Sequence, residues 1–162
     1  MDKYGITYEE VFSLVHGACT TISADALEIM KQRAEQETKR EAQSMLRAMI
    51  DNVAQASKLD KPVCQSPGFP TVWVRFGDAA PLADISAFIP QAVVECTKQG
   101  YIRPSIVHPL TRHNSGDSSG VGVPNFEYQY RPGQQYLEVI LSAKGCGAEL
   151  GNISTILTPA TL

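Results

Sequence analysis

The sequence lacks three features that would assign a common function directly: paired cysteines, a long apolar run and an excess of positive charge. Its four cysteines, Cys19, Cys64, Cys96 and Cys146, form no Cys-x-x-Cys pair, which excludes a zinc ribbon or a thioredoxin motif. No apolar run approaches the roughly 20 residues that span a bilayer. The formal net charge of −3 offers no basic surface for nucleic acid. We therefore expect neither a nucleic acid nor a membrane as a partner.

The amino-terminal residues also lack the apolar core of a signal peptide, so we expect a cytoplasmic protein with reduced thiols. Scattered thiols of this kind usually pack as small hydrophobic side chains. Cys19 falls near the end of a predicted helix and Cys96 on an apolar helical stripe, and packing is the expected role of both. His16, in the same predicted helix as Cys19, is expected to make a packing or helix-end contact.

The first 60 residues are predicted to form a helical layer. Thr7 and Glu10 make a capping box at the start of the first helix, and a second helix begins near Ser23. A further capping box at residues 38–41 either starts a new helix or lies within a long one. Residues 42–54 then show the strongest helical periodicity in the chain, and its methionines are predicted to pack in the core. This helix ends by Leu59 because Pro62 cannot continue it.

Residues 61–162 are predicted to form an α+β part, which with the helical layer makes one structural unit. Residues 71–76 alternate with period two, which indicates a strand with one buried face. A helix follows, with a kink or break at Pro90 and a C-cap at Gly100. Residues 125–130 and 136–142 also alternate around a short turn and predict a β-hairpin. The fold class is therefore α+β, with a mixed sheet and at least one packed helix.

Three polar, glycine-bearing loops stand at the ends of these elements: residues 64–68, 103–117 and 144–152. The first presents a thiol and an amide on a stiff loop, which suits a ligand site or an ordinary turn. The second is dense in polar side chains and fits a binding surface or a solvated loop equally well. The third offers backbone amides to an anion but has neither the Walker order nor a dinucleotide fingerprint.

In this order the loops resemble the α-subunit, or α-domain, of the class I fumarase and L(+)-tartrate dehydratase family of iron–sulfur hydro-lyases. Cys64-Gln65-Ser66-Pro67-Gly68 stands where the family has Cys-Gln-Asp-Thr-Gly. The run Arg103-Pro104-Ser105-Ile106-Val107-His108-Pro109-Leu110-Thr111-Arg112-His113-Asn114-Ser115-Gly116-Asp117 resembles Arg-Pro-Ser-x-Val-x-Pro-Leu-Thr-Arg-x-Asn-x-Gly-Asp. Lys144-Gly145-Cys146-Gly147-Ala148 is similar to Lys-Gly-Gly-Gly-Ser/Ala.

The resemblance implies a [4Fe-4S] cluster held by three thiolates, of which Cys64 is one. The fourth iron then acts as a Lewis acid on a dicarboxylate such as fumarate, malate or tartrate, to or from which water is added or removed. The positions that the resemblance assigns to substrate binding are Gln65, Arg103, Asn114, Gly145, Cys146 and Gly147. No other cysteine of this sequence matches a ligand position of the family.

The sequence also departs from the family pattern. Ser66 replaces the acid of the first motif, so no catalytic residue is assigned, and Pro67 replaces a threonine. In the family, the α part continues and carries the other two cluster cysteines, and a β part adds substrate-binding groups. The expected partners are therefore a β-subunit or a missing carboxy-terminal part, in an oligomer. This chain alone is expected to be inactive and to hold no cluster stably.

Two alternatives follow from these departures. The chain could be a non-catalytic interaction or regulatory relative that kept the scaffold, since Ser66 removes the acid. It could also be a thiol enzyme using Cys64 or Cys146, which requires His108 or His113 beside the thiol.

Overall fold

The computed structural model describes residues 5–78, 80, 82–145, 147, 151 and 153–160. Helices come first and a small mixed sheet follows, which confirms the predicted α+β class. The elements are α1 (Tyr8–Thr20), α2 (Ala24–Gln36), α3 (Arg40–Leu59), β1 (Pro67–Phe76), α4 (Leu82–Lys98), β2 (Asn125–Tyr130) and β3 (Glu138–Gly145). In the part of the chain described, no helix is both long enough and apolar enough to cross a membrane.

Helix α1 begins at the predicted capping box. The Glu10 amide donates to Thr7 Oγ1 at 3.3 Å, and the Thr7 amide donates to Glu10 Oε2 at 2.8 Å. Both bonds satisfy amides that have no partner inside the helix. The buried side of α1 carries Val11, Val15 and Cys19, and α1 packs against α4 and contacts β3.

Helices α2 and α3 pack against each other. The capping box predicted at residues 38–41 does not form at the start of α3. The N-cap of α3 is Lys39, whose side chain makes no capping bond. Glu37, one residue before Thr38, accepts from the amides of Thr38 and Lys39 through Oε1, at 2.8 Å each. Thr38 lies one residue before this N-cap, so its side chain is not at the capping position of α3.

The prediction that the methionines of α3 pack in the core is wrong for both of them. Met45 is 68% exposed and Met49 is 53% exposed. The main helical neighbour of α3 is α2, and α3 makes few contacts with α1, so its apolar stripe is only partly covered. The periodicity identified the helix correctly but could not show what lies against it.

The three strands form one sheet in the order β2-β1-β3, so the predicted hairpin is wrong. β1 pairs with β2 in parallel and with β3 in antiparallel orientation. The segment between β2 and β3 passes over the carboxyl end of β1. There the Arg131 amide donates to the Phe76 carbonyl at 2.8 Å, and Gln134 Nε2 donates to the Arg75 carbonyl at 3.1 Å. The residues between β2 and β3 therefore cross the end of β1 and do not form a hairpin turn between two adjacent strands.

Helix α4 supplies much of the core and runs through Pro90 without the predicted break. Ile85, Ile89 and Val93 are almost fully buried, and this packing holds the helix together although proline removes one backbone hydrogen bond. After the helix, Gly100 has φ +84°, as its predicted C-cap role requires. The core cluster joins α1, β1, α4 and Ile102.

Candidate functional site

The segment between α3 and β1, residues 60–66 and called here the hinge loop, carries Cys64 and Gln65. Its middle is fixed to two helices. The Val63 amide donates to the Cys19 carbonyl of α1 at 2.9 Å, and Asn52 Nδ2 of α3 donates to the Val63 carbonyl at 2.8 Å. Cys64 and Gln65 are exposed immediately after this anchored residue. The local structure therefore presents both side chains outward from a fixed backbone.

The segment that begins at Arg103 meets the first loop at the start of β1. The Arg103 amide donates to the Pro67 carbonyl at 2.7 Å. Next to it, a Cβ added to Gly68 would lie 2.0 Å from Ser105 Oγ and 3.0 Å from the Arg103 carbonyl oxygen. No side chain fits in that space, so glycine at this position permits the close approach of the two segments.

The end of β3 reaches the same place from the other side of β1. Gly145 is paired with Pro67 in the sheet. Because β3 is antiparallel to β1, its last residue lies beside the first residue of β1. The structure thus brings the beginning of the glycine turn to the first two loops.

Cys64, Gln65 and Arg103 line one cleft, called here the site cleft, with a volume of about 440 Å³. Tyr101 and Pro104 contribute to the same wall. The guanidinium of Arg103 has no ion-pair partner among the residues that the structure describes. Its backbone is held firmly, because its carbonyl accepts from Ser118 Oγ at 2.9 Å as well as from Ser105 N at 2.8 Å. An exposed guanidinium on a fixed backbone suits a carboxylate ligand.

The thiol of Cys64 differs from the other two cysteines that the structure describes. The Ser66 amide donates to Cys64 Sγ at 3.4 Å, and hydrogen bonds from Ser66 hold the pKa of Cys64 below its ordinary value, although burial opposes this. Burial raises the pKa of Cys19 to about 11 and that of Cys96 to about 12. Cys64 is therefore the thiol of these three that most readily forms a thiolate.

The family model for fumarate hydratase (Fumerase) matches residues 8–162. The chain belongs to this family. The match includes the sequence of all three loops, residues 64–68, 103–117 and 144–152.

Three relatives illustrate the similarity. A Geobacillus stearothermophilus protein whose name assigns it to class I fumarate hydratase is 30% identical over 90% of this chain. A Methanocaldococcus jannaschii protein named for the L(+)-tartrate dehydratase α-subunit is 27% identical over 93% of this chain. The L(+)-tartrate dehydratase α-subunit of Escherichia coli K12 is 28% identical over 87% of this chain.

The chain spans only part of these curated relatives. The aligned region makes up 28% of the Geobacillus protein, 54% of the Methanocaldococcus protein and 47% of the Escherichia coli subunit. The chain thus spans about half the length of the two α-subunits that it matches and less than a third of the Geobacillus protein.

The resemblance implies an iron–sulfur cluster. The residues that the structure describes could not hold this cluster by themselves. Among them, no group of three or more His, Cys, Asp or Glu side chains could hold a metal ion. Of the three cysteines that the structure describes, Cys19 and Cys96 are buried in the core and Cys64 is exposed. One exposed thiol beside a cleft fits a single ligand of a larger set.

Asn114 serves the second loop itself. Its Nδ2 donates to the Pro104 carbonyl at 2.9 Å, and its Oδ1 accepts from the Gly116 amide at 2.7 Å. Both ends of the side-chain amide are therefore engaged with backbone, and Asn114 is not among the residues lining the site cleft. Its predicted contact with substrate remains a prediction.

The glycine turn is described only in part. Gly145 ends β3, Gly147 is exposed, and Cys146 lies outside the described residues. The predicted roles of Gly145, Cys146 and Gly147 in binding a ligand remain predictions.

His108 and His113 line a different cavity from Cys64, with a volume of about 420 Å³. His108 Nδ1 accepts from the amides of Leu110 and Thr111 at 3.2 Å each, which fixes this ring within its own turn. The structure does not bring either histidine to the site cleft. It therefore gives the thiol-enzyme hypothesis no histidine partner for Cys64.

Two residues near the cleft were missed by sequence reasoning. Tyr101 lines the cleft, and its hydroxyl donates to Asp60 Oδ2 at 2.6 Å. The position of Tyr101 directly after the C-cap glycine of α4 was the available signal. Asp60 has no local sequence signal, because its partners His16 and Tyr101 are 44 and 41 residues away in the sequence.

Proposed function

We propose that this chain forms one side of the active site of a hydro-lyase that adds water to, or removes it from, a dicarboxylate such as fumarate, malate or tartrate. The observation that carries this proposal is the meeting of the first two family motifs with Gly145, at the start of the third, and the position of Cys64, Gln65 and Arg103 on one cleft. Membership of the fumarate hydratase family supports it.

Cys64 would provide one of the three thiolate ligands of a [4Fe-4S] cluster. The bound cluster would supply a Lewis-acidic iron for a substrate oxygen. Hydrogen bonds from Ser66 favour the thiolate form of Cys64, which is the form that binds metal. The other two thiolates would come from the remainder of the protein or from a partner chain.

Arg103 would bind a substrate carboxylate by a charge-assisted pair, with Gln65 as a hydrogen-bonding neighbour. The fixed backbone of Arg103 supports this role, because the side chain is then ordered at a lower entropic cost. Amides of the Gly145–Gly147 turn would add donors for the same anion. The enzyme would be cytoplasmic and would contain a β-subunit or an equivalent domain.

The proposal can be tested by reconstituting the full-length protein, with its partner chains, with iron and sulfide without oxygen. Visible absorption of an iron–sulfur cluster is expected in the wild type and is expected to be lost or greatly reduced in Cys64→Ser. Ser44→Ala, a substitution of an exposed serine in α3 outside the site cleft, serves as the control and should keep the absorption. An undiminished cluster in Cys64→Ser would refute the ligand role.

Ser66 favours one alternative, a non-catalytic relative, because a serine is a poor acid or base near neutral pH. This alternative predicts that partner binding is unaffected by Cys64→Ala and that the assembled complex has no hydration activity. Hydration by the wild-type complex would exclude it.

A further inference from the structure

The carboxylate of Asp60 links the end of α3 to a residue within α1 and to a residue just after α4. It follows α3, and its Oδ1 lies 2.8 Å from Nε2 of His16 in α1. Its Oδ2 accepts the hydroxyl of Tyr101, which follows α4. Both carboxylate oxygens of Asp60, the first residue of the hinge loop, are thus bonded to residues outside that loop.

The backbone of Asp60 makes this residue an unusual choice. Its φ of 51° and ψ of 57° lie in the left-handed region, where glycine is the usual residue after a helix. Aspartate tolerates this region better than most residues but still carries a steric cost. Glycine would adopt this conformation at a lower steric cost, but it would lack the carboxylate and its two bonds.

The partners of the carboxylate are themselves held in place. The rings of His16 and Tyr101 meet edge to face at 4.4 Å, and Phe12 stacks on His16 at 6.1 Å between ring centroids. Tyr101 also lines the site cleft together with Cys64 and Gln65. The contacts of Asp60 therefore connect the start of the hinge loop to a wall of that cleft.

We propose that Asp60 is a positioning residue whose carboxylate, held by His16 and Tyr101, fixes the hinge loop and so directs Cys64 and Gln65 into the site cleft. The bonds of Val63 anchor the middle of the loop, and those of Asp60 anchor its start. The consequence for catalysis rests on the proposed function, whereas the restraint on the loop does not.

Hydrogen exchange of backbone amides, followed by mass spectrometry in the full-length protein, measures this restraint. Tyr101→Phe removes one bond and is expected to speed the exchange of residues 61–66 several-fold, up to about tenfold. Asp60→Gly removes both bonds and should speed it further, although it relieves the backbone. Asp60→Asn keeps an acceptor for Tyr101 and should give an intermediate rate.

Tyr136→Phe is the matched control, because Tyr136 is 64% exposed and lies outside the cleft. It should leave the exchange of residues 61–66 unchanged. Unchanged or slower exchange of this segment in Asp60→Gly would overturn the proposal and leave Asp60 as a simple helix cap. An equal increase throughout α3 would also overturn it, since the effect would then be loss of the helix end.

A kinetic measurement separates positioning from general stability. In the assembled enzyme, Tyr101→Phe is expected to raise KM for the dicarboxylate several-fold, with a smaller effect on kcat. Equal KM values in Tyr101→Phe and Tyr136→Phe would count against positioning for catalysis. If the assembled wild-type protein had no hydration activity, the proposed function would fail, and the exchange experiment would still decide whether Asp60 restrains the loop.

Discussion

Gly145, the last residue of β3, lies directly against Ser66. A Cβ added to Gly145 would come within 2.7 Å of Ser66 Cβ and 3.4 Å of its carbonyl oxygen. This contact places the start of the family's third motif beside its first, although 78 residues separate Ser66 and Gly145 in the sequence. The close packing of these two small residues lets the strand end and the hinge loop share one site.

Gly145→Ala should therefore destabilise the protein. The added methyl group would overlap Ser66 and force the hinge loop or β3 to shift, at a cost of about 1–3 kcal/mol. Thermal or denaturant unfolding measures this change. Gly17→Ala is the control, because no atom lies within 4 Å of a Cβ at Gly17. In a helix this control should be neutral or slightly stabilising, and equal effects of both variants would refute the packing argument.

The motifs of the sequence predict that Cys64, Gln65 and Arg103 belong to one site, and in the structure the three residues line one cleft. Their roles as cluster ligand and substrate-binding residues stay predictions. Sequence periodicity could not predict strand order, because alternation shows which face of β2 and β3 is buried and not which strand lies beside them. Helical periodicity likewise could not show that Met45 and Met49 are exposed, because it identifies an apolar stripe and not what packs against it. Asp60 depends on tertiary contacts that leave no local pattern.

The capping boxes give a second prediction, because only one of the two forms. Thr7→Ala should cost about 1 kcal/mol of stability, since it removes the bond to the Glu10 amide. Thr38→Ala should have little effect, since α3 is not capped by this side chain. Comparable losses in the two variants would contradict the assignment.

The stabilisation by the first capping box should also depend on pH. Bonds from Thr7 hold the pKa of Glu10 below its ordinary value. A lowered pKa in the folded state means that this contribution is present above the pKa of the unfolded state and is lost as pH falls through the folded value. The Thr7 amide is the main cause of this lowering and is kept in Thr7→Ala, so the variant that removes the contribution is Glu10→Ala. The stability difference between wild type and Glu10→Ala should thus shrink in acid. Unfolding curves across the acidic range measure it, and a constant difference would contradict the role of the carboxylate.

The core of α4 supplies a third prediction. Ile89 is fully buried, so Ile89→Ala should cost about 2–5 kcal/mol through lost contacts and the cavity left behind. Ile29 is 56% exposed on α2, so Ile29→Ala should change stability much less. Similar losses at both positions would mean that α2 is covered in the folded protein.

The thiols give a fourth prediction. At neutral pH, an alkylating reagent should modify Cys64 before Cys19 and Cys96, because burial raises the pKa of both other thiols. Ser66→Ala should raise the pKa of Cys64 toward its ordinary value, since the hydroxyl contributes to the lowering. The pH dependence of the alkylation rate reports this shift. An unchanged profile would assign the lowering to the backbone amide alone.

The most direct test of the central claim is whether Arg103 binds the dicarboxylate. In the assembled enzyme, Arg103→Lys should raise KM for a substrate such as fumarate by at least about tenfold, because lysine cannot form the bidentate pair. Arg47→Lys, on the exposed surface of α3, is the matched control and should leave KM unchanged. Equal KM values in wild type, Arg103→Lys and Arg47→Lys would contradict the assignment of the site cleft as the substrate site.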